Sequence, residues 1–134
     1  MSIFESENPG EYSVFNRYFI VKTENGVEVL NLYRELIHSF ISMKNALCWC
    51  IYDKRGKYST ANRIIELDRR LIGYKVNYDM HKKLFKKTKD TDLKLIYLAK
   101  LNEDNIHKKQ VQSEIEHFVH ESYVWQQRQY SKSA

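Results

Sequence analysis

Proline occurs once in these 134 residues, at position 9, and glycine only four times. So little of either excludes a Pro/Gly-rich linker and argues against a disordered chain. Cysteine occurs twice, as Cys48 and Cys50, so a disulfide-stapled scaffold is excluded. The two thiols have no bridging geometry on one short run and are expected to be reduced. No apolar run approaches the roughly 20 residues of a membrane span, and the opening MSIFESENPG carries acids where a secretory signal would carry bases. These absences point to a cytoplasmic or nuclear protein, neither secreted nor embedded in a membrane. The glycines, at 10, 26, 56 and 73, are too scattered for a phosphate-cradling loop, and no serine nucleophile elbow is present. No catalytic motif is found, so no enzyme, no catalytic residue and no cofactor is expected.

What is present suits one globular domain: 43% hydrophobic and 29% charged residues. Lys, Asn, Ile and Tyr are abundant, a usage that fits an AT-rich genome such as that of a virus or parasite. The net charge is +5, and it is unevenly spread. Residues 1–53 hold 4 basic and 7 acidic groups, residues 54–109 hold 16 and 7, and residues 110–134 hold 2 and 3. A basic middle is a pointer to an anionic partner.

The longest uninterrupted apolar run, Ala46–Tyr52 (ALCWCIY), reads as a central strand covered on both faces. Around it the chain reads in order as an irregular acidic lead-in over 1–12 with a turn at Asn8-Pro9-Gly10, then a strand Tyr18–Thr23. A hairpin turn at Glu24-Asn25-Gly26 leads to a return strand Val27–Val29. Leu30, Tyr33, Leu36, Ile37, Phe40 and Ile41 then fit a helix over about Leu30–Lys44. After the central strand come a turn at 53–56, a short strand Lys57–Ser59 and a helix from Ser59 or Thr60 to Ile72, closed by Gly73. A strand Tyr74–Tyr78, a short basic helix Met80–Thr88, a loop 89–92, a strand Leu93–Leu101 and a long helix Asn105–Gln127 complete the pattern, with a frayed tail over 128–134. Strands and helices mix without a regular βαβ alternation, which favours α+β: one mixed or antiparallel sheet of four to five strands, three to four helices and a long C-terminal helix.

Four groups of residues are candidates for function. Lys82, Lys83, Lys86 and Lys87, with His81 before them and Lys89 after, make the densest basic run; on a helix Met80 and Leu84 would dock while the lysines fan outward. With Lys54, Arg55, Arg69 and Arg70 they would form one phosphate-binding face if the turn and helices share a side of the sheet. Tyr58, Tyr74 or Tyr78 could then stack on unpaired bases. Cys48-x-Cys50 lacks the spacing and companion ligands of a structural zinc site and reads as a pair of small buried hydrophobes. His117 and His120, beside Glu116 on the last helix, stand three apart and not four, short of a metalloprotease motif. No metal is expected. Tyr123, Trp125 and Tyr130 are aromatic anchors for the core or for a partner. The combined expectation is a basic protein that binds RNA or DNA through the phosphate backbone with little sequence preference. The alternative is a non-enzymatic accessory protein, viral in style, that docks on an acidic partner protein through its basic face or its C-terminal aromatic helix.

Overall fold

A computed structural model describes residues 3–6 and 8–133. Met1, Ser2, Glu7 and Ala134, parts of the expected lead-in and tail, lie outside the described residues. Five strands, β1 (Ile3–Glu5), β2 (Glu11–Val14), β3 (Tyr18–Thr23), β4 (Gly26–Leu30) and β5 (Leu36–Phe40), form one antiparallel sheet in chain order. Three helices follow: α1 (Met43–Lys54), α2 (Tyr58–Lys87) and α3 (Thr91–Ser133). The fold is α+β with a long C-terminal helix, as the sequence suggests. Part of the acidic lead-in is strand, and the tail is helical up to Ser133.

The β3–β4 hairpin follows its turn signal. Thr23 pairs with Gly26, leaving Glu24 and Asn25 as the two-residue connection. Gly26 is required by proximity: a Cβ there would lie 2.4 Å from the carbonyl oxygen of Phe40.

The helix expected over Leu30–Lys44 is instead a turn and a strand. Asn31 Oδ1 accepts the N–H groups of Tyr33 (2.9 Å) and Glu35 (3.0 Å), and Arg34 adopts φ 63°. The Arg34 guanidinium donates at 2.5 Å to the buried carboxylate of Glu11 on β2, which ties this turn across the sheet. Residues 36–40 then pair with the free edge of β4, and that edge is a tertiary partner which no local periodicity registers.

The run Ala46–Tyr52 is central, but it is helix, not strand. Ser42 caps α1 by accepting the Asn45 N–H at 3.2 Å. At the other end Gly56 (φ 73°) lets the N–H of Gly56 reach Asp53 O and that of Lys57 reach Tyr52 O, a Schellman stop. Asn45, Ala46, Cys48, Trp49, Cys50, Ile51 and Tyr52 are all buried. A helix covered by the sheet on one side and by α2 and α3 on the other needs no polar face, so a short apolar run reads equally as strand or helix. On a helix Cys48 and Cys50 lie about 200° apart and do not share a face.

The strands expected at Lys57–Ser59, Tyr74–Tyr78 and Leu93–Leu101 are likewise not strands: Lys57 immediately precedes α2 and the rest is helical. Gly73 does not end α2; it sits in mid-helix with open space where its side chain would be. Helix α2 therefore runs on through the basic segment for 30 residues, about 45 Å, and α3 for 43 residues, about 65 Å. A three-residue connection, Thr88–Asp90, joins them, and Asp90 Oδ1 caps α3 by accepting the N–H groups of Asp92 (2.9 Å) and Leu93 (3.2 Å).

The core lies between the sheet and the near half of this helical hairpin. Val14, Ile20 and Val29 of the sheet meet Trp49 and Tyr52 of α1 and Ile64 of α2; a second cluster joins Leu67 and Leu71 to Val111 and Ile115. Buried Asp68 links three segments, its Oδ1 accepting from Asn45 Nδ2 (2.9 Å) and from the Ile41 N–H (3.2 Å). Arg63 grips Glu114 of α3 with two hydrogen bonds, at 2.6 and 3.0 Å. Beyond Leu71 no residue of α2 is buried, and on α3 only Leu101 and Asp104 are buried before Val111. The far half of the hairpin, residues 72–109, is therefore an arm that leaves the body.

Candidate functional site

The arm is held by a single seam. Tyr74, Tyr78, His81 and Phe85 recur at spacings of three and four on α2 and face α3. The Tyr74 ring lies 5.2 Å from the His107 ring, Lys108 Nζ lies 5.8 Å from the Tyr78 ring, and Lys94 Nζ lies 5.5 Å from the Phe85 ring. At its centre His81 Nδ1 meets Asp104 Oδ2 at 2.6 Å, with both side chains largely buried.

Because this seam takes the 74-78-81-85 row, Met80 and Leu84 do not dock. They fall with Ile72 and Val76 on an i,i+4 row that stays between 38% and 61% exposed. Leu93, Leu95, Ile96, Leu98 and Ile106 of α3 are exposed as well, so nine of the sixteen exposed large apolar side chains among the described residues belong to the arm. Lys83 and Lys87 line a shallow depression with Val76, Met80 and Leu84. Lys75 borders a second one with Ile72 and Val76, opposite the β3–β4 turn.

The arm also carries the charge. It holds ten lysines, no arginine and five carboxylates, while the rest of the chain balances twelve basic against twelve acidic groups. Its excess of five equals the net charge of the whole protein. Among the described residues none of these ten lysines makes an ion pair.

The eight basic residues singled out from sequence are thus spread along a rod. Lys82, Lys83, Lys86 and Lys87 are exposed on the last two turns of α2. Arg69 and Arg70 are exposed on the body part of α2, and Arg70 pairs with Glu66 at 2.5 Å. Lys54 and Arg55, at the end of α1, lie before α2 begins. Lys54 Nζ stands 4.4 Å from the Phe15 ring, and the Arg55 guanidinium stands 5.4 Å from the Trp125 ring, so both cations pack against aromatic faces. Between them and the lysine cluster lies most of the roughly 45 Å length of α2.

Of the three aromatic candidates, Tyr123 and Tyr130 are exposed, while Trp125 packs edge-on against Phe15 at 6.3 Å and serves the body. Tyr58 is exposed; Tyr74 and Tyr78 are committed to the seam. His117 and His120 are exposed on α3, and among the described residues no group of three or more His, Cys, Asp or Glu side chains gathers. Both thiols are free and buried; burial raises each above its ordinary range, Cys48 to about 12. No helix among the described residues is long and apolar enough to cross a membrane.

Sequence reasoning missed the Ile72–Val76–Met80–Leu84 row. Its i,i+4 spacing was visible, but the spacing alone does not say which of two apolar rows on one helix the neighbouring helix takes. No protein-family model, no curated protein and no solved structure matches this chain.

Proposed function

We propose that this is a non-enzymatic docking protein whose arm binds an acidic amphipathic segment of a partner protein. The observation that carries this reading is the coincidence, on one arm, of the whole net charge and most of the exposed large apolar side chains. Apolar rows flanked by unpaired lysines match a helix with an apolar face and carboxylate flanks. A phosphate backbone would draw on the lysines alone and leave Ile72, Val76, Met80 and Leu84 in water. A second copy of the arm would bring like charge against like.

Nucleic-acid binding is the second reading. It is favoured by the absence, among the described residues, of ion pairs at the arm lysines, which leaves Lys82, Lys83, Lys86 and Lys87 available to phosphates. Lys54, Arg55, Arg69 and Arg70 would extend such a track along the rod. Tyr123 and Tyr130 on α3 remain a candidate second contact for a partner.

The two readings separate in one experiment. A synthetic amphipathic helix with an apolar face and glutamate flanks, a mixed-sequence RNA and a duplex DNA are titrated against the protein over a range of salt. The docking reading expects peptide affinity that drops both when Val76 and Met80 become Gln and when Lys82, Lys83, Lys86 and Lys87 become Glu. Binding of RNA or DNA with no measurable peptide binding would overturn it. For about five phosphate contacts, duplex affinity would then fall with salt at a log–log slope of about −4 to −5.

A further inference from the structure

A groove on the body, apart from the arm, presents polar groups that the fold leaves unused. It runs between β5 and the first turns of α2 and has two lobes that share His38 and Asn62. The first lobe, about 400 Å³, has aromatic walls. Trp49 and Tyr18 form its base, 5.6 Å apart and edge to face, and the Tyr58 ring stands exposed at its rim. The second lobe, about 600 Å³, opens beside Arg69 and Arg70. Together they have the size of a small-molecule site.

The groups in the groove divide into those already engaged and those free. Asp53 is engaged: it accepts the Tyr18 hydroxyl and lies 3.8 Å from the Arg17 guanidinium. Arg70 is held by Glu66. His38 is packed against Trp49 at 5.3 Å, yet neither of its ring nitrogens has a hydrogen-bond partner among the described residues. The Asn62 amide, the Tyr58 hydroxyl and the Arg69 guanidinium also have none. Burial, reinforced by the nearby Arg69 charge and opposed by Asp53, lowers the His38 pKa. The imidazole is therefore neutral at pH 7 and offers one donor and one acceptor.

We infer that this groove binds a nucleoside 5′-phosphate unit, with the base in the aromatic lobe against Tyr58 and His38 and the phosphate on Arg69. A planar heteroaromatic ring suits a slot walled by aromatic side chains. Asn62 and His38, each a donor and an acceptor, match the mixed edge of a base. Arg69, which forms no ion pair among the described residues, is placed for the anion at the other end. The unit could arrive as a free mononucleotide or at the end of a single-stranded nucleic acid. The inference does not depend on the docking role of the arm.

Calorimetric titration of the intact protein with AMP, UMP, uridine, inorganic phosphate and a short oligouridylate tests it. AMP or UMP is expected to bind, with uridine and phosphate weaker by about tenfold or more, because each lacks one of the two anchors. Binding of the oligouridylate but of neither mononucleotide, lost on Arg69→Gln, would also support the site and identify a strand end as its source. Arg69→Gln should weaken binding by about tenfold, as loss of a charged hydrogen bond does. Arg69→Lys should recover part of it, and Asn62→Ala and Tyr58→Ala should each weaken it several-fold. All three positions, Tyr58, Asn62 and Arg69, are exposed, and an unchanged melting curve verifies that each variant is folded. No binding by any nucleotide probe at millimolar concentration, phosphate binding as tight as AMP and UMP, or an unaffected Arg69→Gln variant would overturn the inference.

Discussion

The body holds twelve basic and twelve acidic groups, and three of its close pairs join separate parts of the chain: Arg63 with Glu114, Lys44 with Glu116, Arg34 with Glu11. The arm holds ten lysines and five carboxylates, and among the described residues its one ion pair is His81 with Asp104 inside the seam. The body buries seven of the eight residues Asn45–Tyr52 of its central helix, whereas the arm covers one face of each helix and leaves another apolar row open. The body's composition is largely explained by folding, since its buried apolar groups form the core and five of its twelve basic groups, Arg17, Arg34, Lys44, Arg63 and Arg70, form ion pairs among the described residues. The arm's composition is not, and its unpaired lysines and open row are what a binding surface would contribute.

The largest contrast should come from the centre of the body. Trp49 is 4% exposed and contacts the rings of Tyr18, His38 and Phe40. Trp49→Ala is expected to cost about 3–5 kcal/mol in equilibrium denaturation. A loss below about 1 kcal/mol would mean that α1 is not the hub of the core.

Asp68 gives the body a signature in pH. Burial raises its pKa against the opposing hydrogen bonds from Asn45 and Ile41, and its Oδ2 has no partner among the described residues. The folded state thus keeps a proton at a pH where the unfolded chain has released it. The sign follows from proton linkage: stability is greatest below the ordinary aspartate range and declines as pH rises from there through the raised folded-state value. As pH rises from about 4, the stability of wild type should fall relative to that of Asp68→Asn. A difference independent of pH would contradict the assignment.

The arm should answer more weakly and locally. His81→Ala removes the bond to Asp104 and is expected to cost about 1–3 kcal/mol. Hydrogen exchange should place that loss in amides of the arm and leave those of α1 protected. Faster exchange throughout α1 would show that arm and body open as one unit.

These contrasts were unevenly legible in the sequence. The β3–β4 hairpin was readable because Tyr18–Thr23 is β-branched and aromatic and a turn signal follows it. The later part of α3 was readable because Val111, Ile115 and Phe118 keep a helical period. Helix α1 was not, because seven of the eight residues Asn45–Tyr52 are buried and such a run shows no period to read, and β5 was not, because it pairs with an edge 6 to 13 positions back in the chain. The lysines of the arm were recognisable as an exposed cluster. Their separation from Lys54 and Arg55 was not, since it depends on α2 continuing through Gly73. A glycine in mid-helix costs only about 1 kcal/mol relative to alanine, which packing against α3 can offset. The groove was out of reach, because its lining comes from separate segments that run from Arg17 through His38 and Trp49 to Arg70.

The most direct test of the difference between the two regions is the denaturation free energy of the Val76→Gln, Met80→Gln double variant, measured beside its peptide binding. Glutamine keeps helix propensity while removing the apolar surface. If the open row is not employed by the fold, stability should stay within about 1 kcal/mol of wild type while affinity for the acidic amphipathic peptide is lost. A loss of more than about 3 kcal/mol, the size expected of a core position, would show that the row belongs to the fold and would contradict its role as a docking surface.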